Sequence, residues 1–237
     1  MTTLSVFSSM WVKICGIQDR ATATLIAALA PDAIGLNFYA GTVRHVDATT
    51  AAQVASSLPS EIEPVGLFVN DRAESMHDVC RTCSLRTIQL HGNEPPETIR
   101  ELADRDPAYR IIRAWNLGPE GLGPLGDYLN RLRDLKVWPV ACLIDARVEG
   151  KHGGTGRTVD WELLGREYDH GEWPPMILAG GLSPENVAAA IQTARPWGVD
   201  VSSGVESATG VKDFSLVEQF IQSAREAFQS QDRVDQE

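Results

Sequence analysis

Short runs of apolar and β-branched residues recur along this chain, and stretches with helical periodicity lie between them. Eight such runs predict strands at 11–15, 33–38, 64–69, 86–90, 110–115, 138–145, 174–179 and 198–201. Helix-like segments begin at Ala21, Thr49 and Glu97. Another has Ser183 as its N-cap and Pro184 at its first helical position. Each unit is about 25 residues long, which is enough for a strand, a helix and two short loops.

The alternation of strand and helix predicts an α/β fold with parallel strands, since parallel neighbours need such crossovers. Eight consecutive units close naturally into a single (β/α)8 barrel, the TIM barrel. An open, doubly wound sheet stays the alternative, because the pattern does not give the order of strands in space. We expect one domain, with a loose N-terminal extension at 1–10, the barrel at 11–229 and a polar C-terminal tail at 230–237. Glycine-rich stretches at 116–124 and 146–158 fall where the loops after strands five and six are expected.

The composition is that of an ordinary globular protein, with 43% hydrophobic and 22% charged residues. A formal net charge of −11 gives a broadly acidic surface, which repels nucleic acid and anionic membranes. No run approaches the ~18 apolar residues of a membrane span, and the N-terminus lacks the features of a signal peptide. We therefore expect a cytoplasmic protein without nucleic-acid or membrane partners.

Of the four cysteines, only Cys15 is a candidate for chemistry. In a reducing compartment Cys15, Cys80, Cys83 and Cys142 are expected to be free thiols. Cys80 and Cys83 form a CxxC pair inside a helix-like segment, and no second pair completes a zinc site. We interpret this pair as structural and expect no metal.

Barrel enzymes carry their chemistry just after each strand, and two such positions hold reactive side chains. Alternation places Lys13 and Cys15 on one face of the first strand, where the ammonium would favour the thiolate of Cys15. The alternative is a small apolar cysteine at a strand end. Asp145 ends the apolar sixth strand, a suitable place for a general acid or base. Its alternative is a helix cap or a loop hydrogen-bonding role.

Three further polar side chains follow the second and fourth strands. Arg44 can grip a carboxylate or phosphate through two N–H groups, or it can be a solvated surface charge. Gln89 and His91 share one face of the fourth strand by the same alternation. His91 is a candidate for orienting substrate, with a structural histidine as the equal alternative.

Glycine-bearing segments lie at 153–156, 179–181 and 202–204. Glycines allow backbone N–H groups to approach an anion closely, and barrels often build phosphate sites from the loops after strands seven and eight. Simple tight turns are the alternative. The chain has no Walker A, GxGxxG, HExxH or GxSxG motif, so we expect no nucleotide cofactor.

Taken in order, these segments resemble the phosphoribosylanthranilate isomerase family of tryptophan biosynthesis. The matching stretches are VKICG at 12–16, GLNFYAGTVRHV at 35–46, VGLFVN at 65–70, IQLHGNE at 88–94, LIDA at 143–146, GGTGRTVDW at 153–161, LAGGLSPENV at 178–187 and VDVSSGVESATGVKD at 199–213. The resemblance implies a TIM barrel of the ribulose-phosphate-binding type. It implies a cofactor-free Amadori rearrangement of N-(5-phosphoribosyl)anthranilate to 1-(2-carboxyphenylamino)-1-deoxyribulose 5-phosphate. The ligand would be a small phosphorylated molecule, and the chain a monomer or homodimer.

The resemblance also implies residue roles. Cys15 matches the family's general base and Asp145 its general acid, while Arg44 matches the arginine that holds the anthranilate carboxylate. The substrate site would include Lys13, Gln89, His91 and Asp200. The phosphate site would be formed by Gly154, Gly156, Gly180, Gly181, Ser203 and Gly204.

This chemistry requires a protonated Asp145 beside an ionised Cys15, so we expect burial to raise the first pKa and Lys13 to lower the second. The chain departs from the family pattern in the AGTVRHV loop around Arg44 and at 146–152. Two alternatives are weighed against the isomerase. One is another phosphate-binding barrel enzyme of amino-acid biosynthesis, either one using an aspartate pair or one using lysine and glutamate. The other is a non-catalytic barrel that binds a phosphorylated metabolite.

Overall fold

The computed structural model describes residues 10–145 and 161–234 and shows a closed barrel of eight parallel strands. The strands hydrogen-bond in chain order, and the last lies beside the first. They are β1 Trp11–Cys15, β2 Ala33–Asn37, β3 Glu63–Phe68, β4 Thr87–Leu90, β5 Arg110–Asn116, β6 Ala141–Asp145, β7 Met176–Ala179 and β8 Gly198–Val201. The predicted (β/α)8 barrel is confirmed, and the open sheet is excluded.

A helix follows each strand and covers the outside of the barrel. The helices are α1 Arg20–Ala27, α2 Ala48–Ser57, α3 Ala73–Cys83, α4 Pro96–Arg105, α5 Gly123–Asp134, α6 Trp161–Glu167, α7 Val187–Ala194 and α8 Phe214–Val234. Between β8 and α8 lie a 3-10 turn, Ser203–Val205, and a small hairpin of β9 Glu206–Ala208 and β10 Val211–Lys212. The hairpin was not predicted. No helix in the described ranges is long and apolar enough to cross a membrane.

Local side-chain chemistry fixes where several helices begin. Asp19 and Asp47 cap α1 and α2 by accepting hydrogen bonds from the backbone N–H groups three residues later. The prediction that Ser183 caps α7 is wrong. Asn186 closes a turn instead, because its side chain accepts from the Ser183 N–H and donates to the Gly181 carbonyl. The helix therefore starts at Val187.

Two boundaries of the predicted domain also change. Met10 is fully buried, so the last residue of the predicted loose extension belongs to the core. Helix α8 continues to Val234, so 230–234 is helical rather than part of a tail. The rest of both predicted ends, 1–9 and 235–237, lies outside the described residues. Cys80 and Cys83 are buried on α3, as the structural interpretation of the CxxC pair requires.

The molecule has two apolar layers. One fills the barrel and comprises Ala33, Val65, Ile112, Ala114, Ala141, Leu143, Ile177 and Ala179. The other lies between the strands and the helices and takes the alternate residues of each strand. Trp11 and Trp197 stack at the N-terminal end of the barrel with ring centroids 5.3 Å apart. The apolar inner layer therefore fills the barrel from its N-terminal end, and the polar side chains lie at the C-terminal end of the strands.

Strand alternation decides which polar side chains reach that end. Lys13 and Cys15 point inward from β1 because Val12 and Ile14 pack against the helices. Lys13 is in register with Asp200 of β8, so the two side chains meet inside the barrel. The fold thus gathers the polar ends of distant strands at one place.

Candidate active site

A cavity of about 500 Å³ opens at the C-terminal ends of the strands. Its lining residues are Cys15, Asn37, Tyr39, Thr42, Arg44, Leu67, Val69, His91, Asp145, Ala179, Gly180, Gly181, Leu182, Asp200, Val201, Ser202, Ser203 and Gly204. Nine of the thirteen predicted site residues are in this set. Lys13 and Gln89 lie behind the lining, while Gly154 and Gly156 fall outside the described residues.

Cys15 lies at the end of β1 and is 6% exposed. Lys13 lowers the Cys15 pKa as predicted, but the net pKa is raised, so the prediction of an ionised Cys15 is wrong. Burial is the largest cause, Lys13 opposes it, and the Asp200 carboxylate raises the pKa further. A raised pKa favours the thiol form of Cys15 over the thiolate.

Lys13 is fully buried and donates a hydrogen bond to Asp200 over 2.8 Å. Burial is the largest single influence and favours the neutral amine, but Asp200 and Cys15 together outweigh it and raise the Lys13 pKa. The ammonium is therefore charged and already paired. Lys13 lies behind the cavity lining and contacts Asp200, so its role as a substrate ligand stays a prediction.

Asp145 ends β6 and faces His91 across the cavity, with His91 Nε2 3.8 Å from Asp145 Oδ2. The Gln89 amide donates to His91 Nδ1 over 2.8 Å, so His91 carries its proton on Nε2, the nitrogen nearer Asp145. Gln89 is fully buried. It holds the His91 ring and is not among the residues that line the cavity, so its role as a substrate ligand stays a prediction.

Arg44 lies on the loop after β2 and is held by a carboxylate that the sequence analysis missed. Its Nε and Nη2 donate to the two oxygens of Glu206 over 2.8 and 2.6 Å. Lys212 Nζ donates to the same carboxylate over 2.8 Å. Arg44, Glu206 and Lys212 therefore form a hydrogen-bonded cluster of charged side chains at the cavity wall. The alternative that Arg44 is a solvated surface charge is excluded.

The loops after β7 and β8 form one wall of the cavity. Gly180 and Gly181 come from the first, and Ser203 and Gly204 from the second. A Cβ atom at Gly204 would lie 1.8 Å from the Leu182 carbonyl oxygen, so only glycine allows the two loops to pack this closely. The two glycine segments predicted separately are thus brought together.

One further lining residue, Asn37, also lies at a strand end. Asn37 ends β2 as Asp145 ends β6, so the strand-end rule would have found it. Glu206 and Lys212 gave no such signal, because they lie on strands too short to show alternation. Within the described ranges, no group of three or more His, Cys, Asp or Glu side chains is arranged to hold a metal ion.

The fold and the cavity together define a (β/α)8-barrel enzyme with a thiol and a carboxylate at the ends of its strands. A family model for N-(5'phosphoribosyl)anthranilate isomerase matches residues 12–223. The chain belongs to this family and is an isomerase.

Individual relatives agree over nearly the whole chain. The N-(5'-phosphoribosyl)anthranilate isomerase of Magnetococcus marinus is 44% identical over 218 residues, which cover 91% of this chain and 95% of the relative. That of Trichlorobacter lovleyi is 40% identical over 216 residues, which cover 91% and 98%.

Solved structures give the same result. The phosphoribosyl anthranilate isomerase of Thermotoga maritima superposes with a TM-score of 0.78 at 36% identity, covering 91% of this chain and 98% of that one. A phosphoribosyl anthranilate isomerase in complex with reduced 1-(o-carboxyphenylamino)-1-deoxyribulose 5-phosphate has a TM-score of 0.75 at 34% identity, with the same coverage.

Proposed function

We propose that this chain converts N-(5'-phosphoribosyl)anthranilate to 1-(2-carboxyphenylamino)-1-deoxyribulose 5-phosphate, a step of tryptophan biosynthesis. The observation that carries the proposal is that Cys15 and Asp145 line one cavity at the strand ends of a barrel of this family. Neither of the alternatives from sequence, another barrel enzyme or a non-catalytic barrel, is supported by the family match.

The reaction begins with ring opening. Asp145 gives its proton to the ribose ring oxygen as the C1–O bond breaks, and the nitrogen lone pair forms a protonated Schiff base at C1. Asp145 is left as a carboxylate, and the Nε2–H of His91 faces it. That dipole stabilises the charge as it develops.

The second step is proton removal from C2. Cys15 accepts that proton, and the electron pair moves toward the iminium to give an enolamine, which tautomerises to the ketone. The raised pKa of Cys15 keeps its thiolate fraction small, so the thiol proton leaves to solvent before Cys15 accepts the proton from C2. The positive charge of the Schiff base lowers the Cys15 pKa and so increases the thiolate fraction while the intermediate is present.

The remaining residues bind the two anionic ends of the substrate. Arg44 takes the anthranilate carboxylate, since it is the cation among the described lining residues. The phosphate is held by Gly180, Gly181, Ser203 and Gly204, with Gly154 and Gly156 as the predicted contribution of the sixth loop. Asp200 binds substrate hydroxyl groups beside Cys15.

The test is turnover of freshly prepared N-(5'-phosphoribosyl)anthranilate, followed as loss of its fluorescence in the presence of a chelator. The expected result is rapid conversion to the ketose, identified by mass spectrometry and carbon NMR. A sample without protein measures spontaneous hydrolysis, which releases anthranilate instead. A folded protein that gives no ketose contradicts the proposal.

The proposal places the enzyme in the cytoplasm, supported by four cysteines that are free thiols and typical of a reducing compartment. A monomer or homodimer stays a prediction from sequence.

A further inference from the structure

The hairpin after β8 carries a buried carboxylate in contact with the cavity wall. The Glu206 side chain is 4% exposed and sits on β9. It accepts hydrogen bonds from Arg44, from Lys212 over 2.8 Å and from the Gly210 backbone N–H over 3.0 Å. Burial alone would raise its pKa, but these donors lower it to about 2. Glu206 is therefore an anion at neutral pH.

The contact with Glu206 leaves one edge of the Arg44 guanidinium available to a ligand. A guanidinium has five N–H groups in a plane, and a carboxylate can meet it along either of two edges. Glu206 takes the edge formed by Nε and Nη2. The other edge, formed by Nη1 and the second N–H of Nη2, makes no hydrogen bond within the described part of the chain. Arg44 lines the cavity, so a second carboxylate can bind there end-on.

The Arg44 side chain is also fixed along its length. It occupies the space next to Gly16, where an added Cβ would lie 2.8 Å from Arg44 Cδ. The loop that carries it is tied down by Gln18, whose side-chain amide donates to the Val43 carbonyl over 2.7 Å. These contacts restrict the Arg44 side chain where it lines the cavity, so less of its freedom remains to be lost on binding.

The charges of the cluster suit a monoanion. Arg44 and Lys212 contribute two positive charges and Glu206 one negative, so the cluster carries one net positive charge. Lys212 is 1% exposed and also donates to the Ser202 carbonyl, so it stays behind the wall. The single excess charge is presented at the cavity through Arg44 alone.

We propose that Glu206 is a positioning residue, which aims Arg44 at the carboxylate of the substrate and thereby sets the preference for a carboxylated aryl group. This inference rests on the proposed function. It assigns no contact between Glu206 and substrate, because the carboxylate acts entirely through Arg44.

The experiment compares wild type and Glu206→Gln in two measurements. The first is KM and kcat for N-(5'-phosphoribosyl)anthranilate. The second is calorimetric binding of the reduced, non-reacting product analogue with its carboxyl group and of the same analogue without it. The amide that replaces the Glu206 carboxylate has only one oxygen to accept a hydrogen bond from Arg44. Its NH₂ group would face the other of the two Arg44 N–H groups that Glu206 binds, so that a donor meets a donor. We expect the variant to bind the substrate carboxylate roughly 10- to 100-fold more weakly.

The expected pattern is a rise in KM of that size with a much smaller change in kcat, and an equal loss of affinity for the carboxylated analogue. Affinity for the analogue without the carboxyl group stays at the wild-type value. The matched control is Glu97→Gln, the same change at the exposed Arg131 pair, which leaves both affinities unchanged.

A folded Glu206→Gln protein that keeps the full preference for the carboxylated analogue overturns the inference. If this variant does not fold, Glu206→Asp is measured in the same way, since it keeps the charge but moves it away from Arg44. Failure of the proposed function is a separate result, because it would show as absence of turnover by the wild type.

Discussion

Cys15 works beside two groups of opposite charge, and their balance sets how readily it ionises. Lys13 lowers its pKa and Asp200 raises it, while burial exceeds both. The sequence placed Lys13 and Cys15 on one face correctly, because strand alternation is strict. It could not give the sign of the pKa shift, since Asp200 meets Lys13 only when β8 closes against β1.

Replacing Asp200 with Asn is predicted to lower the pKa of Cys15. The change removes the negative charge beside the thiol and leaves the effect of Lys13 uncancelled. In wild type, alkylation of Cys15 by iodoacetamide should rise with a midpoint above the usual thiol pKa of about 8.5. The measurement is alkylation rate against pH, located by peptide mass spectrometry. An unchanged or higher midpoint in Asp200→Asn would show that Asp200 does not control the thiol.

Elements with a long, regular pattern were predictable, and short ones were not. All eight barrel strands were found near their observed positions, because each contributes four to seven residues with one face in each apolar layer. Helix α7 was placed three residues early, because Ser183 and Pro184 imitate a helix start while Asn186 closes a turn. The hairpin that holds Glu206 has strands of three and two residues, too short for a periodic signal.

The turn before α7 is predicted to matter for both stability and ligand binding. Asn186→Ala removes the hydrogen bonds to Ser183 and Gly181 and releases the loop that lines the cavity. We expect unfolding free energy to fall by about 1–3 kcal/mol, because two hydrogen bonds are lost. Inhibition by inorganic phosphate should weaken at the same time. Urea unfolding and inhibition kinetics measure the two effects.

Thr193→Ala, on an exposed face of the same helix, is the control and should change neither. Equal effects of the two substitutions would exclude a special role for the turn.

At the scale of the whole molecule, a buried ion pair ties the barrel to its outer layer. Glu94 follows β4, and its carboxylate accepts from Arg113 of β5 over 2.9 Å, with both side chains under 5% exposed. The same carboxylate accepts from the Asn70 and Gly92 backbone N–H groups. The sequence analysis used neither residue, because an arginine within a strand gives no sign of the partner it meets across the fold.

Glu94→Gln is predicted to lower the free energy of unfolding by about 3–5 kcal/mol, since it leaves the buried Arg113 charge without its counter-ion. Glu97→Gln, which breaks an exposed pair with Arg131, should lower the free energy of unfolding far less, because solvent screens this pair. Urea unfolding of both variants provides the comparison. Similar values for the two would show that the buried pair contributes no more than a surface pair.

The central claim is that Cys15 and Asp145 perform the proton transfers, and single substitutions test it most directly. The measurement is kcat/KM for N-(5'-phosphoribosyl)anthranilate in Cys15→Ala, Asp145→Ala and the control Cys142→Ala. Cys142 is a buried cysteine that packs in the layer between β6 and the helices. We expect losses of about 10²–10⁴-fold for the first two, the usual contribution of a general acid or base. Near-wild-type activity is expected for the control. Folded Cys15→Ala or Asp145→Ala protein with wild-type activity would contradict the account.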